Sequence, residues 1–417
     1  MTIANIFNLV ALLVTLATVF GYVNHRWLRL PHTIGLVVIA LTVSICLLVV
    51  DAIVPALGIE TTVRLTLINI DFEDVLMKGI LSFLLFAGAL HVDLEALLKH
   101  RWAISILATV GIVISTVVVA TLMHFGFSAL GLHLPFGQCL VFGALISPTD
   151  PIAVMSILKK INVPQSLEAK IAGESLLNDG VGVVLFTVLV ALTTGGEHSL
   201  TLTGALNLFL LEAVGGVAFG LVTGYLAYST MKAIDDYHLE ILVTLSLVMG
   251  TYSVASFLHV SGPLAVVIAG LFIGNQGKRF AMSESTRQHV DTFWIMIDEI
   301  LNSLLFLAIG FEIVAITITG SIVGAIALTV PIVLLARLVA VAGPITTLGL
   351  RQEFSRGVIP ILTWGGLRGG ISVALALSLP ENPHKPLLLA ITYGVVIFSI
   401  VVQGLTLERV VRATTRA

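Results

Sequence analysis

The sequence predicts an all-α polytopic membrane protein of about thirteen transmembrane helices. Three observations carry this reading. Of 417 residues, 57% are hydrophobic and only 11% are charged, against about 25% charged in soluble domains. The apolar residues run continuously over stretches of about 20 rather than alternating, which excludes a β-barrel. The loops between these stretches are basic on one side only.

The segments follow in order. The first covers about 5–23 and the second about 32–50, followed by an acidic loop around Glu60 to Asp74. The third is about 75–92, the fourth 102–124, the fifth 135–158 and the sixth 166–193. The seventh is about 203–230, the eighth 239–258, the ninth 261–276 and the tenth 285–316, long enough to begin outside the hydrocarbon. The last three are about 320–348, 357–379 and 386–407.

Loop charge sets the orientation. Arg26, Arg29, Lys99, Arg101, Lys159, Lys160, Lys170, Lys232, Lys278, Arg279, Arg287, Arg351, Arg356, Arg409, Arg412 and Arg416 fall on one side. Only Arg64 and Lys385 fall on the other. Cytoplasmic loops hold the excess of Lys and Arg, so the C-terminus is expected in the cytoplasm and the N-terminus outside. Lys78, near an outer end, can snorkel. Arg337 and Arg368 lie well inside apolar runs, and each needs a partner there.

The remaining composition narrows the classes. A net charge of -3 gives no footprint for nucleic acid. Cys46 and Cys139 lie in apolar runs, so neither a disulfide nor a metal site is expected. No cofactor is implied. Met1 to Asn8 carries no Lys or Arg, so no cleavable signal peptide is expected.

Two segments are broken at their centres. The fifth is interrupted by Ser147-Pro148-Thr149-Asp150-Pro151, because Pro151 cannot donate to the carbonyl four residues back and Pro148 disfavours helix before it. The twelfth is interrupted by Gly365-Gly366-Leu367-Arg368-Gly369-Gly370, whose four glycines permit unwinding. The two run in opposite directions in opposite halves of the chain. Inverted repeats with two broken crossing helices are the signature of secondary transporters that bind their substrate near the membrane midplane. Close helix packing at the glycines is the plainer alternative.

The sixth segment supplies the chemistry. In G-E-S-L-L-N-D-G, Ser175 and Asp179 share one helix face, and Glu174 and Asn178 share the next. Ser175 and Asp179 can point together at a hard cation, while Glu174 points at a buried arginine. Asp150, the Thr149 hydroxyl and free backbone carbonyls complete an oxygen cage suited to an alkali ion. Desolvation favours the neutral form of a carboxyl group, so a proton and a cation would compete for Asp179. The plainer alternative pairs these acids with Arg337 and Arg368, but two arginines cannot neutralise Asp150, Glu174 and Asp179 at once.

The stretches S-P-T-D-P-I-A-V, G-E-S-L-L-N-D-G, L-L-A-R-L-V-A-V and W-G-G-L-R-G-G jointly resemble the monovalent cation:proton antiporters of the NhaP and sodium/proton exchanger type, in a bacterial-like form. The resemblance covers essentially the whole chain. It implies one transporter domain and a homodimer in a bilayer, with a core (about 102–193 and 320–407) that moves against a dimerisation scaffold (about 5–92 and 203–316). It implies that Asp179 binds the ion and the proton, that Asp150, Thr149 and Ser175 help to hold Na⁺, and that Asn178 supports them. It also implies that Glu174 pairs with Arg337 and that Arg368 stabilises the crossing near Asp150 or backbone carbonyls. Asn178 before Asp179 points to electroneutral exchange of one cation for one proton across the cytoplasmic membrane. Many such members carry glutamate where this chain has Ala87, in Leu84-Leu85-Phe86-Ala87-Gly88, with His91 one turn on.

Other polar residues have two readings each. Asp298 and Glu299, with Asn302 and Glu312 beyond, either line a cytoplasmic funnel that concentrates cations or pack an interface. Glu212 reads as a packing residue. His91, His124, His133, His198 and His259 read as interfacial histidines, with a pH sensor as the sharper alternative. Asp235 and Asp236 read as solvated loop acids. Three alternatives to Na⁺/H⁺ exchange are K⁺/H⁺ exchange on the same fold, an intramembrane aspartyl protease using Asp150 and Asp179, and a cation channel. The protease lacks a G-x-G-D stretch, and the channel lacks a filter-like segment.

Overall fold

The computed structural model describes residues 3–54, 75–151, 154–155, 158, 165–194, 202–312, 319–350, 354 and 357–415. The acidic loop with Arg64, and Lys159, Lys160, His198, Arg351, Arg356 and Arg416, lie outside the described residues, as does the side chain of Lys78. Every regular element among the described residues is helical. This is what a chain in hydrocarbon needs, because a helix satisfies its backbone groups within its own segment.

The order is α1 (Ile3–Val23), α2 (His32–Ile53), α3 (Leu81–Leu90, after a π-helical turn), α4 (Arg101–Ala129) and α5 (Phe136–Ile146). Then come α6 (Gln165–Thr194), α7 (Leu202–Met231), α8 (Tyr237–Phe257), α9 (Gly262–Phe272) and α10 (Glu284–Glu312). The last four are α11 (Gly320–Leu348), α12 (Val358–Trp364), α13 (Gly370–Leu377) and α14 (Lys385–Thr414). Eight helices among the described residues are long and apolar enough to cross a membrane. Helix falls in every one of the thirteen predicted segments.

Two local features fix the frame. Asn24 is buried at the α1–α2 corner, where its amide donates to the Leu30 carbonyl (3.0 Å) and accepts from the Leu30 N–H (3.2 Å). Gly143 brings α5 against the backbone of Thr116 on α4, and a Cβ there would collide with the Thr116 carbonyl. Small residues at such contacts let helices approach where no water drives them together.

α4 packs on α5 and α11, α5 on α6, and α11 on α12 and α14. α9 packs on α3, α7 and α8, and α10 on α2 and α3. Contacts from α6 to α7 and α9, and from α10 to α13, join these groups. Large apolar side chains stay exposed on α7 (Leu211, Val214, Leu226) and α8 (Met249, Phe257). Exposed apolar side chains of this size suit lipid rather than water.

Candidate functional site

The two broken stretches meet. α5 ends at Ile146 and α12 at Trp364, and each chain then runs unwound past the other. The Asp150 N–H donates to the Leu367 carbonyl at 2.8 Å, so one break is hydrogen-bonded to the other. Arg368 is 2% exposed, and its guanidinium donates to the carbonyls of Ser147 and Pro148, the latter at 2.9 Å. Of the two positions the resemblance allows for Arg368, the carbonyl ends are the ones it contacts. Gly369 allows this approach, because a Cβ there would strike the Asp150 carboxylate. Unwound backbone at this depth needs such partners, since each orphaned polar group costs several kcal/mol in hydrocarbon.

α6 lies against the crossing and presents its two polar faces. On one, Glu174 and Arg337 of α11 form a bidentate pair at 2.5 and 3.0 Å, with exposures of 1% and 7%. Arg337 also donates through Nε to the Leu362 carbonyl (3.2 Å). Toward the crossing, Thr149 Oγ1 lies 3.0 Å from Ser175 Oγ. Asn178 holds Thr149 twice: its Nδ2 donates to Thr149 Oγ1 (2.8 Å), and its Oδ1 accepts the Thr149 N–H (3.2 Å). Asp179 follows one residue on, 5% exposed, with its Oδ1 buried and lacking a hydrogen-bond donor. A carboxylate oxygen out of water without a donor is suited to a proton or a cation. Hydroxyls and carboxylates are the ligands of a hard cation.

Asp150, Thr149 and Asp179 line one wall of a cavity of about 660 Å³. The facing walls come from α3, with Leu84, Ala87, Gly88 and His91, and from α10, with Asp298, Glu299 and Asn302. Asn302 donates to the Asp298 carbonyl at 2.8 Å. At position 87 the α3 wall carries a methyl group instead of an acid. His91 Nδ1 lies 2.7 Å from the Ala87 carbonyl, and its Nε2 lies 3.8 Å from Asp291. Asp291 pairs with Lys278 at 2.5 Å, and Lys278 also donates to the Leu90 carbonyl at the end of α3.

Other predicted residues lie apart from this wall. Glu312 and Glu212 do not line the cavity, and the Glu212 carbonyl accepts the Ser261 N–H (3.2 Å). His124 lies 3.1 Å from the Leu134 carbonyl, beside Phe125 and Phe136. Asp235 accepts from Thr286, and Asp236 caps α8 by accepting the N–H groups of His238 (2.9 Å) and Leu239 (3.4 Å). Those bonds hold the Asp236 carboxyl below its usual pKa, so Asp236 does more than sit in solvent.

Sequence reasoning passed over two residues that touch the crossing, Ser399 and Gln403. The Arg368 N–H donates to Ser399 Oγ (2.9 Å), which donates to Gln403 Oε1 (2.7 Å); Gln403 Nε2 donates to the Trp364 carbonyl (3.0 Å). The available signal was the S-I-V-V-Q spacing, two polar residues four apart in an apolar run.

The comparisons with known proteins agree among themselves. The family model described as "Sodium/hydrogen exchanger, transmembrane" matches residues 13–413. The Na(+)/H(+) antiporter NhaP of Pseudomonas aeruginosa is 46% identical over 412 residues, covering 97% of this chain and 96% of that protein. The Na(+)/H(+) antiporter NhaH of Halobacillus dabanensis is 37% identical over 393 residues, covering 93% of each. The structure of the sodium proton antiporter MjNhaP1 from Methanocaldococcus jannaschii superposes with a TM-score of 0.77 at 16% identity over the full length of both chains, a likeness of fold.

Proposed function

The chain belongs to the sodium/hydrogen exchanger family of transporters, and we propose that it exchanges Na⁺ for H⁺ with Asp179 as the shared binding carboxylate. The observation that carries this is the state of Asp179: buried on the cavity wall that Thr149 and Asp150 also line, with one oxygen without a donor. Glu174 is satisfied by Arg337. Arg368 donates through Nη1 to the carbonyls of the crossing, and its buried Nη2 makes no hydrogen bond among the described residues. Neither arginine is paired with Asp179, so Asp179 is the carboxylate for a mobile ion.

In this reading Asp150, Thr149 and Ser175 contribute oxygens to Na⁺, and Asn178 fixes Thr149 in place. Protonation of Asp179 removes the charge that holds the cation, so one site carries one ion or the other. Asp298 and Glu299 form the funnel that draws cations toward it. The core (102–193 and 320–407) moves against the scaffold (5–92 and 203–316) to open the site to either side. The chain crosses the cytoplasmic membrane thirteen times with its C-terminus inside, as a homodimer. Exchange of one Na⁺ for one H⁺ moves no net charge. A gradient of one pH unit, about 1.36 kcal/mol, then sustains roughly a tenfold Na⁺ gradient. An electrogenic cycle would gain about 2.3 kcal/mol per net charge per 100 mV.

The test is cation-evoked pH change in proteoliposomes with Na⁺, Li⁺ and K⁺, at zero and at negative potential, beside Asp179→Asn. Na⁺ is expected to move protons at a rate indifferent to potential, with the variant inactive. A response to K⁺ alone would replace the substrate. Exchange by Asp179→Asn would overturn the site.

A further inference from the structure

We propose that Ser399 and Gln403 on α14 are positioning residues that set the orientation of the bridge between α12 and α13, and through it the backbone of Asp150. The inference rests on the exchange reading for its functional consequence and on the hydrogen bonds alone for its geometry.

The Leu367 carbonyl and the Arg368 N–H belong to one peptide unit, and a peptide unit is planar and stiff. On one edge that plane accepts the Asp150 N–H at 2.8 Å. On the other it donates to Ser399 Oγ at 2.9 Å. Turning one edge turns the other, so the seat of Ser399 fixes the direction in which the Leu367 carbonyl holds Asp150. The Ser399 hydroxyl is itself oriented, because it donates to Gln403 Oε1 at 2.7 Å and so keeps a lone pair for Arg368. Gln403 cannot turn over without loss, since its Nε2 is committed to the Trp364 carbonyl at 3.0 Å. That carbonyl is one of the groups freed where α12 stops. Two side chains thus satisfy the bridge at both ends.

The pair is built for this place. Both residues are buried, in a helix otherwise apolar at that depth. Ser399–Gln403 form a π-helical turn that sets the two side chains side by side. Trp364 is tied to the same helix again through Nε1 and Thr406 (2.9 Å). A core that needed only close packing would carry alanine and leucine here, because an unpartnered hydroxyl and amide in hydrocarbon are costly.

Full-length Ser399→Ala, Ser399→Thr and Gln403→Leu test it with two readouts in parallel. The first is Na⁺ titration of proton movement in proteoliposomes. Ser399→Ala and Gln403→Leu are expected to raise the Na⁺ KM about two- to tenfold, the worth of one hydrogen bond, with the maximal rate little changed and the apparent Tm lowered by the backbone group each one orphans. Ser399→Thr keeps the hydroxyl and the wild-type KM. The second is hydrogen–deuterium exchange of peptides spanning residues 147–151 and 365–370, which needs no transport. Faster uptake in Ser399→Ala and Gln403→Leu but not in Ser399→Thr supports positioning. Unchanged uptake, or a loss of rate that tracks Tm with KM constant, overturns it. If the wild type moves no protons while the uptake pattern holds, the exchange reading falls and the positioning role stands.

Discussion

The Glu174–Arg337 pair gives the sharpest prediction about stability. It is bidentate at 2.5 and 3.0 Å, with side chains 1% and 8% exposed, so water screens neither partner. Glu174→Gln leaves the guanidinium charged and uncompensated, which costs about 3–5 kcal/mol in buried pairs. Arg337→Met leaves the opposite charge buried and also orphans the Leu362 carbonyl, for about 1–3 kcal/mol more. The double variant removes both charges of the pair and is expected to be more stable than Arg337→Met alone, since no carboxylate of the pair is left buried without its partner. Equilibrium unfolding of the four proteins in mixed detergent micelles, followed by tryptophan fluorescence, closes the cycle. Additive losses, or a Glu174→Gln protein as stable as the wild type, would refute the pair as an element of the core.

Three further outcomes are expected. Gly369→Ala drives a methyl group into the Asp150 carboxylate, so Na⁺-dependent proton movement is expected to collapse; wild-type exchange would show that the crossing tolerates separation. Asp236→Ala removes the N-cap of α8 and is expected to lower stability in the same unfolding assay, with a neutral result counting against the cap. His100, between the third and fourth segments, has its pKa lowered from 6.5 by burial, then by Lys170 and Lys99. The unfolded chain therefore takes up that proton first as pH falls, and the stability of the neutral ring is present above about pH 6.5 and lost below it. His100→Gln is expected to flatten the decline in Tm between pH 7.5 and 5, and an unaltered decline would contradict it.

Much of the site was legible because membranes make polar residues conspicuous. Asp150, Glu174, Asp179, Arg337 and Arg368 stand out in a chain with 11% charged residues, and helical spacing placed Ser175 with Asp179. Prolines and glycines marked both breaks. Sequence spacing could not say which acid meets which arginine, because that depends on how α6 and α11 rotate against each other. It also could not show that Arg368 contacts carbonyls, since backbone oxygens leave no mark in a sequence. Ser399 and Gln403 were lost for the opposite reason: single neutral polar residues are common in spanning helices, and only the path of α14 beside Trp364 gives them meaning. Asp236 is exposed, as its reading as a solvated acid requires, and its capping of α8 escaped notice because it lies in two backbone N–H groups.

The bonds between Arg368 and the carbonyls of Ser147 and Pro148 join residues 221 and 220 positions apart. At about 5–20 residues per second of synthesis, the fifth segment waits roughly 10–40 s in the membrane for the partner that completes it. Until then its opened backbone must be met by water or by provisional neighbours. Assembly of this protein is therefore non-local at its most polar point, and the crossing is among the last parts to form. A chain stalled before the twelfth segment lacks the guanidinium that meets the carbonyls of Ser147 and Pro148.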